Sequence, residues 1–334
     1  MARSFEDFCA SMLRVYGRPE AIAYDIAVLA QHFVEYFGLS SYPNLLELKL
    51  VLDLHHQIVS IQPGCLGGLA ACHYLDRSDK LNIEYEGTDW LGRNEFSIVH
   101  ECYEAIQETF EVMTTGYKAY RDPTNLCMKP YADRFAAAVL MQPEVFIPAV
   151  IETGLDVCSL RRYFYNRSYA SVAIRIKELF KPPVVDDGID FLIAIYDRES
   201  ESEPQDWDFN CNSSDFHAGC VVKTSGIRLS RSKRRVNLKA YLLPRRLFPV
   251  RGEKPAPGFI VDEIIQCKKP VYFENAMFDL LGANEMTLLA RPVYWYGRLA
   301  KVVVIAVRRK DSGLLQKQLE GLSQLDIRPL VYIS

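Results

Sequence analysis

Part-way along this 334-residue chain the spacing of apolar residues changes from three and four to two. That change restricts the chain to a mixed α+β fold in which helices come first and an antiparallel sheet follows. Ala21 to Phe37 has helical spacing and stops at Gly38; Leu45 to Leu54 repeats the pattern more briefly. Gln57–Gln62, Leu69–His73 and Lys80–Tyr85 then alternate as short strands, with Pro63-Gly64 expected to close the first. A long helix from about Arg93 to Met113 comes next, and Pro130 suits the first turn of another helix ending near Met141. A helical hairpin is expected over 154–181. The strand-like runs after it are Phe191–Tyr196, Cys220–Lys223, Val236–Leu243, Pro270–Phe273, Thr287–Tyr296 and Lys301–Val307, with helices at Phe259–Lys268 and Ser312–Leu325. Pro182 to Val185 leads from the hairpin into this half.

Composition narrows the function classes. With 49% hydrophobic and 24% charged residues, the chain is neither disordered nor fibrous. No segment approaches the ~18 uninterrupted apolar residues of a membrane-spanning helix, so no membrane association is expected. Glu6 and Asp7 stand where the apolar core of a secretory leader would lie. The nine cysteines are odd in number, scattered from Cys9 to Cys267, and form no CxxC pair, which fits reduced thiols in a cytoplasmic protein. A formal charge of −3 gives no whole-chain reason to expect nucleic acid. That total conceals an acidic run from Asp186 to Asp208, with Arg198 as its one base, and a basic run from Arg228 to Lys254, with Glu253 as its one acid. Solvated loops are the default explanation for both, and docking of one on the other is the alternative.

The motif with chemical content lies in the long helix. His100-Glu101-Cys102-Tyr103-Glu104 departs by one residue from H-E-x-x-H, in which two imidazoles on one helix face hold zinc and the glutamate activates the metal-bound water. Around it stand Arg93-x-x-Phe96-Ser97-Ile98-Val99-His100-Glu101 and, downstream, Ala132-Asp133-x-Phe135-Ala136-Ala137-x-Val139-Leu140-Met141. This order resembles the ImmA/IrrE family of metallopeptidases, whose members read R-x-x-F-T-I-A-H-E-x-x-H and then A-N-x-F-A-A. The resemblance covers roughly residues 20–180. It implies a zincin-like, metallopeptidase-fold domain over 1–150, a helix-turn-helix-like connector over 151–185, and a GAF-like sensor domain over 186–334. It places this chain in stress response and transcription regulation, where active relatives cleave helix-turn-helix repressors.

Carried across by position, the family's residues change chemistry. His100 takes the first ligand position and Glu101 the general-base position, while Glu104 replaces the second histidine. Lys129 falls at the third ligand position, where a protonated ammonium cannot bind zinc. The expectation is a pseudo-peptidase without a cofactor, in which Lys129 pairs with Glu104 or Glu101 and supplies the charge that zinc would have brought. An alternative is a rescued site for zinc or another divalent ion, using His100, Glu104 and either Asp133 or Glu108, with Glu101 as base of an active endopeptidase. Cys102 lies on another face of the helix and reads as a packed thiol.

Partners follow from the same reading: a protein, in particular a helix-turn-helix repressor, and a small-molecule ligand of the GAF-like half. Tyr272, Phe273, Tyr294, Trp295 and Tyr296 are its candidate pocket aromatics, with strand core as the alternative. A DNA-binding regulator acting through residues 159–180 is a third reading. Arg161, Arg162 and Arg175 are its candidate phosphate contacts, with Arg167 and Lys177 nearby.

Overall fold

In the computed structural model, the described residues are 5–17, 25–54, 59–67, 69–75, 81–116, 129–180, 189–198, 216–224, 260–278, 284–295, 297–320, 322 and 328–329. The protein is a mixed α+β fold, with two sheets among the described residues. The chain divides into two units, Met1–Phe146 and Ile147–Ser334. The described part of the segment expected as a connector, 151–180, falls within the second unit. The Val236–Leu243 strand, the Pro182–Val185 segment, the basic run and most of the acidic run lie outside the described residues.

The first unit begins with α1 (Phe5–Tyr16), α2 (Ile26–Phe37) and α3 (Leu45–Leu54). The Asp25 carboxylate caps α2 by accepting from the Val28 amide at 3.3 Å, and Gly38, at φ 71°, closes the helix onto the Val34 carbonyl. Strands β1 (Val59–Gly64), β2 (Ala71–Leu75) and β3 (Leu81–Glu86) form a sheet in the order β1-β3-β2, parallel between β1 and β3 and antiparallel between β2 and β3. Pro63 does not end β1. The strand continues to Gly64, and its position at the sheet edge tolerates the missing amide.

The long helix α4 (Leu91–Thr115) packs on β2 and β3, and α5 (Lys129–Leu140) packs on both α4 and α2. Alanines permit the close approach of α5, since Ala132, Ala136, Ala137 and Ala138 are all buried. Phe135 then fills the junction, with its ring 5.3 Å from Phe33 and 5.4 Å from Tyr103. A carboxylate also serves this core: Glu95 is fully buried and accepts from the Leu45 amide at 2.9 Å, which satisfies an orphan donor at the start of α3. No single described helix is long and apolar enough to cross a membrane.

The division falls within α6 (Pro143–Thr153), which is followed by α7 (Val157–Tyr163) and α8 (Tyr169–Leu179). The second unit's sheet comprises β4 (Phe191–Arg198), β5 (Phe216–Lys223), β6 (Val271–Phe278), β7 (Asn284–Trp295), β8 (Arg298–Arg308) and β9 (Arg328–Pro329), in the order β5-β4-β8-β7-β6-β9. All pairs are antiparallel except β6 with β9. Phe191 to Tyr196 is buried on both faces, which explains why that strand is continuously apolar. Val261 and Ile264 of α9 (Ile260–Cys267) cover the face that carries Leu192, Ala194 and Tyr196. Helix α8 packs on β4 and β5, and α10 (Gly313–Glu320) packs on β7.

The turn before α7 is tightly constrained. Gly154 and Leu155 both lie in the left-handed region, at φ 63° and 67°. A side chain at Gly154 would collide with the backbone carbonyl of Leu314. Gly154→Ala is therefore expected to lower stability by at least about 2 kcal/mol, through both the strained φ and the clash. Phe135→Ala should cost about 3–5 kcal/mol by leaving a cavity where α2, α4 and α5 meet. Urea unfolding of the full chain measures both.

Candidate functional site

The apolar face of α4 is buried through Ile98, Val99, Cys102, Ile106 and Phe110, and this fixes the rotation of the helix about its axis. The same rotation leaves Glu101, Glu104 and Glu108, spaced three and four apart, along one half-buried edge. Cys102 is fully buried, and burial first, then the charge of Glu101, pushes its thiol well above the ordinary range. It is the packed thiol its helix face implies, and all the described cysteines are free.

His100 joins two helices. Its Nε2 lies 3.2 Å from Glu104 Oε1 and its Nδ1 lies 3.1 Å from Asp133 Oδ1 on α5. A second imidazole, from β2, reaches the same edge of α4. His73 Nδ1 is 2.6 Å from Glu101 Oε2, and its Nε2 is 3.4 Å from Glu108 Oε2. Each ring thus bridges two carboxylates. A neutral imidazole has one donor and one acceptor, so donation to two ionised carboxylates requires the doubly protonated ring. Burial by itself would lower both histidines, but the hydrogen bonds and charges of the flanking carboxylates outweigh it and raise each to about 9. Glu104 is lowered, first by its hydrogen bond to His100, against the opposing effect of burial.

In the sequence His73 stands only as the last residue of an expected strand, with no motif to mark it as a site residue. The signal is its place on the strand: it pairs with Ile83 in the antiparallel register of β2 and β3, and Ile83 is fully buried. A histidine opposite a core residue faces the core side of the sheet. Reading this requires the strand register, which no local motif supplies.

Lys129 is the first residue of α5 and is exposed. The expected pairing with Glu104 or Glu101 is not among the ion pairs of the described residues. Histidines have taken both carboxylates, because β2 brings His73 to Glu101 and the helical repeat brings His100 to Glu104. The rescued ligand set does not converge either. Asp133 holds Nδ1 of His100 while Glu104 faces Nε2, and the two nitrogens point away from each other. Glu108 is engaged by His73. These residues do not fit the three-ligand zinc site that the resemblance implies, since one position is an exposed ammonium and the carboxylates near His100 sit on opposite edges of its ring.

The proposed phosphate contacts separate in the second unit. Arg175 is 6% exposed and bonds Glu178 at 3.3 Å, so it is not presented to a ligand; Arg167 is likewise 6% exposed. Arg161 lies over the Tyr169 ring at 5.7 Å, and Arg162 is exposed. Asp156, itself buried, caps α7 through the Cys158 amide at 2.9 Å and forms a part-buried ion pair with Arg291 of β7. A cavity of about 600 Å³ opens there, lined by Asp156, Arg162, Arg291, Lys317 and Gln318 among others. The aromatic candidates do not line it: Tyr294 and Trp295 are exposed, while Tyr296 and the Phe273 side chain lie outside what the structure describes.

The bridged histidines give a pH signature to chelator-treated protein. Their folded values lie above the ordinary 6.5, so their stabilisation is complete below about pH 6.5 and is lost as pH rises through about 9. Glu104 works in the opposite sense, stabilising above its ordinary 4.5 and losing that contribution as pH falls further. The unfolding free energy from urea titrations in EDTA should decline between pH 6.5 and 9.5 by on the order of 2 kcal/mol per histidine, and the His73→Gln/His100→Gln double variant should flatten that decline.

No family model matches the sequence, and no curated protein matches it. Among solved structures the fold is similar to a Mycobacterium tuberculosis transcriptional regulator, with 14% identity and a TM-score of 0.53, over 97% of this chain and 88% of that one.

Proposed function

We propose that this chain is a gene-regulatory protein of the ImmA/IrrE type that acts by binding or sensing, with a peptidase-like site that has left zinc hydrolysis. The observation that carries this reading is the engagement of Glu101. The carboxylate at the general-base position is engaged by His73 at 2.6 Å, a partner that competes with the proton transfer a general base performs. Glu104 and the exposed Lys129 at the two other ligand positions agree with it. The likeness in fold to a transcriptional regulator, over 97% of this chain, is consistent with a regulatory setting. In this reading the C-terminal sheet, covered by helices on both faces, is the sensor half. The connector is a structural element, since α8 packs on that sheet and Arg175 is buried.

Purified protein supplied with zinc should leave the helix-turn-helix repressor encoded nearest to its gene uncut, as judged by mass spectrometry. Deleting the gene should change transcript levels. Zinc-dependent cleavage that disappears in Glu101→Gln would overturn the loss of hydrolysis, and unchanged transcripts in the deletion strain would overturn the regulatory role.

A further inference from the structure

We propose that His73, Glu101 and Glu104 bind one divalent transition-metal ion of the manganese or ferrous iron class, clamping β2 to α4. The donor set differs from the one the HExxH-like motif suggests. It omits His100 and Lys129, uses the would-be general base as a ligand, and takes its imidazole from a strand. It does not rest on the regulatory reading.

The geometry is already assembled. One ligand atom from each of the three residues lies within 4.8 Å of the other two. Donors about 2.1 Å from one octahedral ion lie about 3 Å apart when adjacent and about 4.2 Å apart when opposite, so shifts of tenths of an ångström suffice. The side chains of His73 and Glu101 are 10% and 13% exposed, while Glu104 is 35% exposed. The site is therefore walled on the sheet side and open at Glu104, where an ion can enter and keep water ligands.

Orienting partners are in place as well. With His73 Nδ1 facing Glu101, the opposite nitrogen is held by Glu108 at 3.4 Å, the carboxylate–histidine arrangement that fixes a ligating ring. His100 holds Oε1 of Glu104 at 3.2 Å, which steadies that carboxylate beside the other two donors. Glu101, Glu104 and Glu108 repel one another along a single helix edge, and a dication relieves this more fully than a ring proton does.

The donor types choose the class of ion. Two carboxylates to one imidazole is too oxygen-rich for a structural zinc site, and the imidazole separates the set from magnesium and calcium cages. Cys102, the neighbouring thiol, is buried on another face and contributes no soft ligand.

The test uses the full chain, stripped with chelator and titrated with manganese chloride. Free manganese is followed by electron paramagnetic resonance, and thermal unfolding is recorded with and without the ion. The expected result is one ion per chain and a raised Tm, with magnesium binding more weakly. His73→Gln and Glu104→Gln should each weaken manganese binding by about tenfold or more, while Lys129→Ala leaves it unchanged. Circular dichroism checks the fold of each variant, and Glu104, the most exposed ligand, provides the comparison if His73→Gln does not fold. Absence of saturable binding, binding unchanged in a folded Glu104→Gln protein, or loss of binding in Lys129→Ala would each overturn the proposal.

Discussion

The first unit is organised around a charge balance. Its long helix must bury an apolar face against α5 and the sheet while keeping three glutamates beside that buried surface. Two imidazoles make this tolerable, each placed between two carboxylates: His73 between Glu101 and Glu108, and His100 between Glu104 and Asp133. The pairs draw on three elements, so they also act as cross-links. Removing one partner of such a pair leaves a half-buried charge uncompensated, which costs more than the pair itself contributes.

The positions of these charges follow from packing of a different kind. Asp133 reaches His100 because α5 comes close to α4, and it comes close because alanine occupies its contact positions. His73 reaches Glu101 because β2 lies antiparallel to β3 with His73 opposite Ile83. Small side chains and strand register therefore decide the electrostatics. The second unit relies on an analogous device. Asp156 caps a connector helix and pairs with Arg291 of the sheet, so one carboxylate sets both a helix start and the docking of that helix. The left-handed Gly154 brings the chain into that position.

Much of the architecture was legible in local pattern. The apolar spacing of α2 and its glycine stop, the long α4, Pro130 in the first turn of α5 and the β7–β8 hairpin are all written in consecutive residues, because helix and strand periods are local properties. The site was only half legible. His100, Glu101 and Glu104 announce themselves because a helix brings residues four apart onto one face. His73 carries no such mark, since its partners lie 28 and 35 positions further along the chain. The pairing expected of Lys129 failed for the same reason. Position in a motif says which residue replaces a ligand, but it does not say which competing side chain reaches the carboxylate first.

A helix carrying His-Glu-x-x-Glu presents an imidazole and carboxylates along one edge whatever it packs against, because 3.6 residues per turn brings positions four apart onto one face. The change in apolar spacing likewise placed an α-rich region before an antiparallel sheet. What those carboxylates meet depends on how the chain packs in three dimensions. A strand distant in sequence supplies the second histidine, α5 supplies Asp133, and Lys129 is left in solvent. Charge interactions depend on distance in space, and the distances here are fixed by strand register and helix packing, which no single segment encodes.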